Sequence, residues 1–161
     1  MERIILHSDC NSFYASVECL HRPEIRRLPV AVGGDVAQRH GIILAKNQLA
    51  KRCGVQTGEA LWQAKQKCAD LVIVPPRYDL YLRFSRLAQQ IYLDYTDQVE
   101  PFGLDEAWLD VTGSRCIKGD GKTIAQEIRR RVKQELGITV SIGVSFNKVF
   151  AKLGSDYQKP D

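Results

Sequence analysis

The apolar positions of this chain fall into short runs and longer periodic stretches, and each kind predicts a different element. "RIILHSD" (Arg3 to Asp9) is an apolar run ending in polar residues, the mark of a buried strand. "NSFYASVECL" follows as a short helix, with Asn11 or Ser12 placed to cap it. Pro23 and Pro29 mark loops, and "PVAVGG" and "GIILA" read as short strands. "NQLAKRCG" reads as a helix that Gly54 stops, "GEALWQAKQKC" as a second small helix, and "LVIVPP" as a strand ended by two prolines.

The clearest helix runs from Tyr78 to Tyr95. Leu80, Phe84, Leu87, Ala88, Ile91, Tyr92 and Tyr95 recur there at helical spacing on one face. "VEPFGLDEAWLDVTG" predicts two strands meeting near Gly103 to Glu106. Thr123 and Gln126 can form a capping box, opening a helix whose buried edge is Ile124, Ile128, Val132 and Leu136. "ITVSIGVS" is a strand, and "NKVFAKLGSDYQKPD" begins as a helix that stops at Pro160. This order suits an α+β fold with an antiparallel-rich sheet and helices on one face. A block of smaller strands and helices is inserted from about residue 11 to residue 76. No internal repeat or low-complexity tract breaks the pattern.

Composition narrows the class. The chain has 161 residues, 44% of them hydrophobic and 26% charged, enough for an ordinary globular domain. No apolar run approaches the roughly 18 residues of a membrane helix, and no signal peptide opens the chain, so the expected location is cytoplasmic. The five cysteines include no Cys-x-x-Cys pair, which argues for free thiols rather than a disulfide framework or a zinc site. Net charge is only +4, but its distribution is uneven. Asp94 to Asp110 holds six acidic residues and no basic one, whereas Arg115 to Glu135 holds seven basic and three acidic. An acidic centre flanked by basic segments suits a metal site that serves a polyanion, although uneven solvated charge gives the same count.

The chemistry concentrates in "FGLDEAWLD". Asp105 and Glu106 stand side by side in an apolar run, where paired carboxylates repel and resist burial. Adjacent strand residues face opposite ways, so both can address one site only at a bend, which Gly103 supplies. Asp9 ends the first strand; if that strand pairs beside this one, three carboxylates converge. Within about 5 Å of one another they would repel by several kcal/mol unless cations intervened. Oxygen ligands without a His or Cys cluster point to Mg²⁺ or Mn²⁺, and two such ions are the usual clamp for phosphoryl or nucleotidyl transfer. On spacing alone, Asp105, Glu106 and Asp110 could equally be ordinary turn acids. The apolar flanks favour the site.

Three stretches carry a resemblance. "HSDCNSFYASVE" resembles the first motif of the Y-family, translesion-type DNA polymerases, of the bacterial DNA polymerase IV kind: a metal-binding Asp followed by an aromatic pair. "GLDEAWLDVTG" resembles the second motif, and the run from Ile124 to Asp161 resembles the stretch that closes the palm. The resemblance implies a palm with a ferredoxin-like sheet over residues 1–10 and 77–161, and small α/β fingers over 11–76. The family's thumb and C-terminal DNA-gripping domain would follow Asp161. It implies that Asp9 is the first metal ligand, that Cys10 offers its backbone carbonyl, and that Asp105 bridges two Mg²⁺ ions. Mn²⁺ could substitute. Glu106 would hold the ion at the primer terminus. Phe13 and Tyr14 would lie under the incoming deoxynucleoside triphosphate (dNTP), with Tyr14 as the steric gate against a ribose 2′-hydroxyl. Gln48, Lys51 and Lys159 would reach the triphosphate. The implied partners are primer-template DNA, dNTP and, through later segments, a sliding clamp.

The departures are specific. Asn11 and Gly103 stand where the family often has Asp and Ser, and Gly103 is expected to loosen the turn. Ala45, Gln48 and Lys51 stand where Thr, Tyr and Arg are typical, so Lys51 keeps the charge but loses the guanidinium fork. Weaker or differently shaped nucleotide contacts follow, with Lys46 available to compensate. The resulting expectation is a low-fidelity, template-directed polymerase that bypasses DNA damage. A non-catalytic DNA-binding or partner-docking relative is the alternative, and a nucleotidyl cyclase on a similar palm sheet is a more distant one.

Overall fold

The computed structural model describes residues 2–34 and 41–159. In chain order the elements are β1 (Ile5–Cys10), α1 (Phe13–His21), β2 (Val30–Gly33), β3 (Ile43–Lys46), α2 (Gln48–Arg52), α3 (Leu61–Lys67), β4 (Val72–Val74), α4 (Tyr78–Leu93), β5 (Val99–Phe102) and β6 (Glu106–Asp110). There follow α5 (Arg115–Lys118), α6 (Gly121–Arg131), β7 (Val140–Ser145) and α7 (Lys148–Asp156). They divide between two compact units. One joins the residues up to Asn11 with those from Leu82 onward; the other is Ser12–Tyr81.

The first unit is built on a four-stranded sheet in the order β5-β6-β1-β7, with every neighbouring pair antiparallel. Alternation sends Leu6, Ser8 and Cys10 of β1 to one face and Ile5, His7 and Asp9 to the other. On the first face the Ser8 hydroxyl lies 3.0 Å from the Tyr92 hydroxyl of α4. Helix α6 begins at Gly121, where an added Cβ would come 2.6 Å from Ile4 and 2.8 Å from Val144. Its buried edge is Ile124, Ile128 and Val132, as the periodicity predicts, while Leu136 is only half-buried. The helix runs on through one π-turn at Val132–Leu136. On the second face α7 lies over β7 and β1.

Local differences from the sequence reading have physical causes. The cap of α6 is Asp120, whose carboxylate accepts from the Thr123 backbone N–H at 2.8 Å. Thr123 is therefore inside the first turn and not the capping residue. Ser12 does precede α1, but in a left-handed conformation (φ 46) and without a capping bond from its side chain. Asn11 lies one residue before that position, and its amide is held by the sheet: it donates to Thr139 Oγ1 at 3.1 Å and accepts from Ser141 Oγ at 2.8 Å. Donating and accepting at once suits an amide at this position better than a carboxylate. Helix α7 ends at Asp156. The expected stop, Pro160, lies outside the described residues.

The second unit holds a mixed three-stranded sheet, β3-β2-β4, in which β2–β3 is antiparallel and β2–β4 parallel. Its core gathers Ile43, Val55, Leu61, Ala64 and Leu71 around β2. Asn47 caps α2 by accepting from Ala50 N–H at 3.0 Å, and the same oxygen accepts from Val30 N–H at 3.0 Å. One side chain thus fixes the helix start to the sheet. Gly54, at φ 88, follows the helix as the sequence predicts.

Candidate active site

The site is set by strand register. In the β1–β6 pair Asp9 lies opposite Glu106 and His7 opposite Trp108; in the β1–β7 pair Asp9 lies opposite Ser141 and His7 opposite Gly143. Directly opposed residues share a face, so Asp9, Glu106 and His7 project the same way. The bend expected at Gly103 is present, with φ 64 in the left-handed region that favours glycine. A serine would be strained at that φ, so Gly103 fits the turn rather than loosening it. Asp105 occupies the same turn, and its carbonyl accepts from Cys10 N–H at 2.9 Å, extending the ladder by one rung. Asp9, Cys10, Asp105 and Glu106 therefore meet at one end of the sheet.

Their electrostatics agree with that placement. Burial pushes the Asp105 carboxyl above the usual carboxylate range, and the negative charges of Asp9 and then Glu106 push it further. Burial likewise pushes the Cys10 thiol up, with Asp105 and Asp9 adding to the shift, so this thiol stays neutral. Two ammonium groups answer the acids. Lys159 Nζ lies 2.5 Å from Asp9 Oδ2, and Lys152 Nζ lies 2.6 Å from Glu106 Oε2. Burial works to lower the pKa of both lysines, but the adjoining carboxylates outweigh it and hold both above the usual lysine value.

Whether these residues suit a divalent cation is a question of donor chemistry. The side-chain donors are carboxylate oxygens, two of them already drawing cationic partners, and the third is disfavoured as an anion by burial and then by the charge of Asp9. That set fits a hard ion such as Mg²⁺ or Mn²⁺. Among the described residues, no three His, Cys, Asp or Glu groups are drawn together as ligands. Asp9 and Glu106 instead each face a lysine.

The other predicted residues fall in the second unit. Phe13 is buried, and Tyr14, half-buried, stacks on Tyr81 with centroids 4.2 Å apart and planes 11° apart. Tyr78 meets the Tyr14 ring edge-on at 5.9 Å. Gln48 and Lys51 lie three residues apart on α2, hence on one side of it. Ala45 lies in β3 opposite Val32. The Lys46 ammonium donates to Thr57 Oγ1 at 3.0 Å; burial and then the Lys51 charge hold its pKa below the usual lysine value.

In each unit, some residues beside the predicted ones are not among them. Glu18 is fully buried on α1, accepting from Arg77 at 2.6 and 3.1 Å and from the Tyr81 hydroxyl at 2.8 Å. It anchors the ring on which Tyr14 stacks. An acid between Val17 and Cys19 on an otherwise apolar helix was a readable signal, because a buried carboxylate demands partners. Lys152 and His7, both on Glu106, had no comparable signal in the sequence.

One unit is an antiparallel sheet that gathers acids from two of its strands, and the other bears the paired aromatics Phe13 and Tyr14. The sequence profile of the impB/mucB/samB family matches residues 8–156, and the chain belongs to this family. The DNA polymerase IV of Acetivibrio thermocellus is 62% identical over 161 residues, which is all of this chain and 40% of that protein. The DNA polymerase IV of Ralstonia nicotianae is 46% identical over 159 residues, 99% of this chain and 44% of that one. The crystal structure of DinB from Sulfolobus solfataricus superposes with a TM-score of 0.89 at 30% identity, and the insertion ternary complex of Dbh DNA polymerase with 0.90 at 30%. Both cover 98% of this chain and 46% of the solved one. The chain thus spans less than half the length of the relatives it matches.

Proposed function

We propose that these residues form the catalytic portion of a template-directed DNA polymerase of the translesion type, transferring a nucleotide from a dNTP to a primer 3′-hydroxyl. The first unit corresponds to the palm and Ser12–Tyr81 to the fingers. The observation that carries the reading is the register opposing Asp9 to Glu106, with Asp105 on the next rung. Acids distant in sequence meet at one sheet edge, in the family whose relatives are named DNA polymerase IV.

Asp9, Asp105, Glu106 and the Cys10 carbonyl would hold two Mg²⁺ ions, or Mn²⁺ in their place. Bound there, the ions would lower the pKa of the primer hydroxyl and neutralise the leaving phosphates. The chain's own residues position and discriminate. Tyr14, kept flat by its stack on Tyr81, closes the space a ribose 2′-hydroxyl needs, with Phe13 beside it. Gln48, Lys51 and Lys159 offer donors to the triphosphate; Lys159 would exchange Asp9 for phosphate. Small residues such as Gly34, Gly41 and Ala45, all half-buried, would suit an open site tolerant of damaged bases, hence low fidelity and a role in damage repair, whereas Gly33 is small because Leu61 packs against it. The polymerase would act on primer-template DNA in the cytoplasm, with a sliding clamp engaged through segments outside these residues.

Primer extension by the full-length protein tests the reading. Asp105→Ala should abolish extension in Mg²⁺, while extension at the wild-type rate would remove the metal assignment. A wild-type protein that binds DNA without extending it would favour the non-catalytic alternative. Cyclisation of a free nucleotide without template would favour a cyclase.

A further inference from the structure

His7 is fully buried in the middle of β1, and the chemistry above gives it no role. Its ring is held on three sides. Nε2 lies 2.8 Å from Glu106 Oε2, Nδ1 lies 2.6 Å from Ser155 Oγ, and the ring packs against Trp108 with centroids 4.9 Å apart. The Ser155 contact depends on how closely α7 lies on β7. A Cβ at Gly143 would come 1.9 Å from the Ala151 carbonyl oxygen, and one at Gly154 would come 3.1 Å from the Gly143 Cα. With neither Cβ present, helix backbone rests on strand backbone and the buried Ser155 hydroxyl reaches the ring.

The hydrogen-bond chemistry has a direction. A carboxylate only accepts, so Nε2 carries a proton and donates to Glu106, while Ser155 Oγ, which also lies 2.8 Å from the Lys152 carbonyl, gives its single proton either to that carbonyl or to Nδ1. Lys152 donates to the same Oε2 at 2.6 Å. Both donors therefore take one oxygen of Glu106, and Oε1 is the one neither takes. A carboxylate on a free χ3 would sample both oxygens; this one is fixed by a ring that itself cannot turn.

We propose that His7 is a positioning residue for Glu106: the Ser155–His7–Glu106 chain locks the carboxylate so that Oε1 is presented to the ion at the primer terminus. This rests on the polymerase reading of Glu106 given above. Groups that orient a ligand from behind typically change metal affinity or activity about 10- to 100-fold when lost.

The test compares full-length wild type, His7→Phe, His7→Gln, Ser155→Ala and Glu106→Gln. Mn²⁺ affinity is measured by electron paramagnetic resonance without DNA or nucleotide, and the Mn²⁺ dependence of primer extension is measured beside it. His7→Phe keeps a ring but no donor and should weaken Mn²⁺ binding about 10- to 100-fold, with the KM for dNTP at saturating metal little changed. His7→Gln places an amide N–H near the Nε2 position and should restore most of the loss. Ser155→Ala should give the same shift, smaller. If His7→Phe fails to fold, Ser155→Ala decides: weakened Mn²⁺ binding supports the proposal, and wild-type binding overturns it. Wild-type Mn²⁺ affinity in a folded His7→Phe, with Glu106→Gln defective, overturns the role of His7 alone. An undisturbed Glu106→Gln overturns the reading of Glu106 and this proposal with it.

Discussion

At Gly143 the fold has no room for one more carbon. A methyl there would meet the Ala151 carbonyl oxygen at 1.9 Å and Ser155 N at 2.5 Å, both helix backbone that cannot swing aside. Gly143→Ala must lift α7 from the sheet, and overpacking on this scale should cost about 3 kcal/mol. Chemical denaturation would show it as a lower midpoint, and an unchanged midpoint would mean the helix moves more freely than this packing implies. Tyr14 makes the complementary case, a side chain whose removal opens space. If the proposed function holds, Tyr14→Ala should let the full-length protein insert ribonucleotides far more readily than wild type, whereas Tyr14→Phe keeps the ring and should keep the selectivity. Unchanged sugar selectivity in Tyr14→Ala would refute the gate.

At the scale of elements, α1 and the start of α4 are joined by a buried charge. Burial works to raise the Glu18 pKa, but the hydrogen bonds from Arg77 and Tyr81 outweigh it and hold the carboxyl below its ordinary value. The folded state therefore binds this proton less readily than the unfolded state. Its contribution is complete above the ordinary glutamate value of 4.5 and is lost as pH falls through the depressed folded value. Glu18→Gln should cost about 2 kcal/mol near neutral pH, the low end for a charged pair because Arg77 is partly open to solvent. Urea denaturation across pH should show the gap to wild type narrowing only below about pH 4.5. A gap independent of pH would contradict the assignment.

The sequence made some of these elements plain and hid others, for physical reasons. Strands and helices with a clean period were legible because burial imposes that period, as in α4 and α6. Even so, Tyr81, three residues before Phe84 and seven before Ala88, is fully buried on that same face although the spacing did not mark it. The Asp120 cap was hidden because Asp120 and Thr123 both suit a helix start, and only the turn at Gly119 (φ 93) decides between them. Asp9, Asp105 and Glu106 were legible because acids in apolar strand ends need a reason. His7 and Ser155 were not, because they stand 148 residues apart and meet only through the β1–β7 register and the glycine contact under α7.

On the scale of the whole molecule, charge and topology point the same way. The acidic run from Asp94 to Asp110 becomes β5, the turn and β6, so the sequence's most negative segment forms one edge of the sheet. Lys152 and Lys159, brought from the far end of the chain, neutralise part of it. In the proposed cycle the Lys159 ammonium would give way to divalent cations and turn to the phosphates that accompany them, while Lys152 would keep the Glu106 oxygen that His7 also holds. The identity to a DNA polymerase IV extends across both compact units.

The most direct measurement is a crystal structure of the full-length protein with primer-template DNA, a dNTP and Mn²⁺, with the ions located by their anomalous scattering. The account predicts manganese peaks bounded by the carboxylates of Asp9, Asp105 and Glu106, with Lys159 withdrawn from Asp9. Manganese bound elsewhere, with Asp9 still held by Lys159, would contradict it.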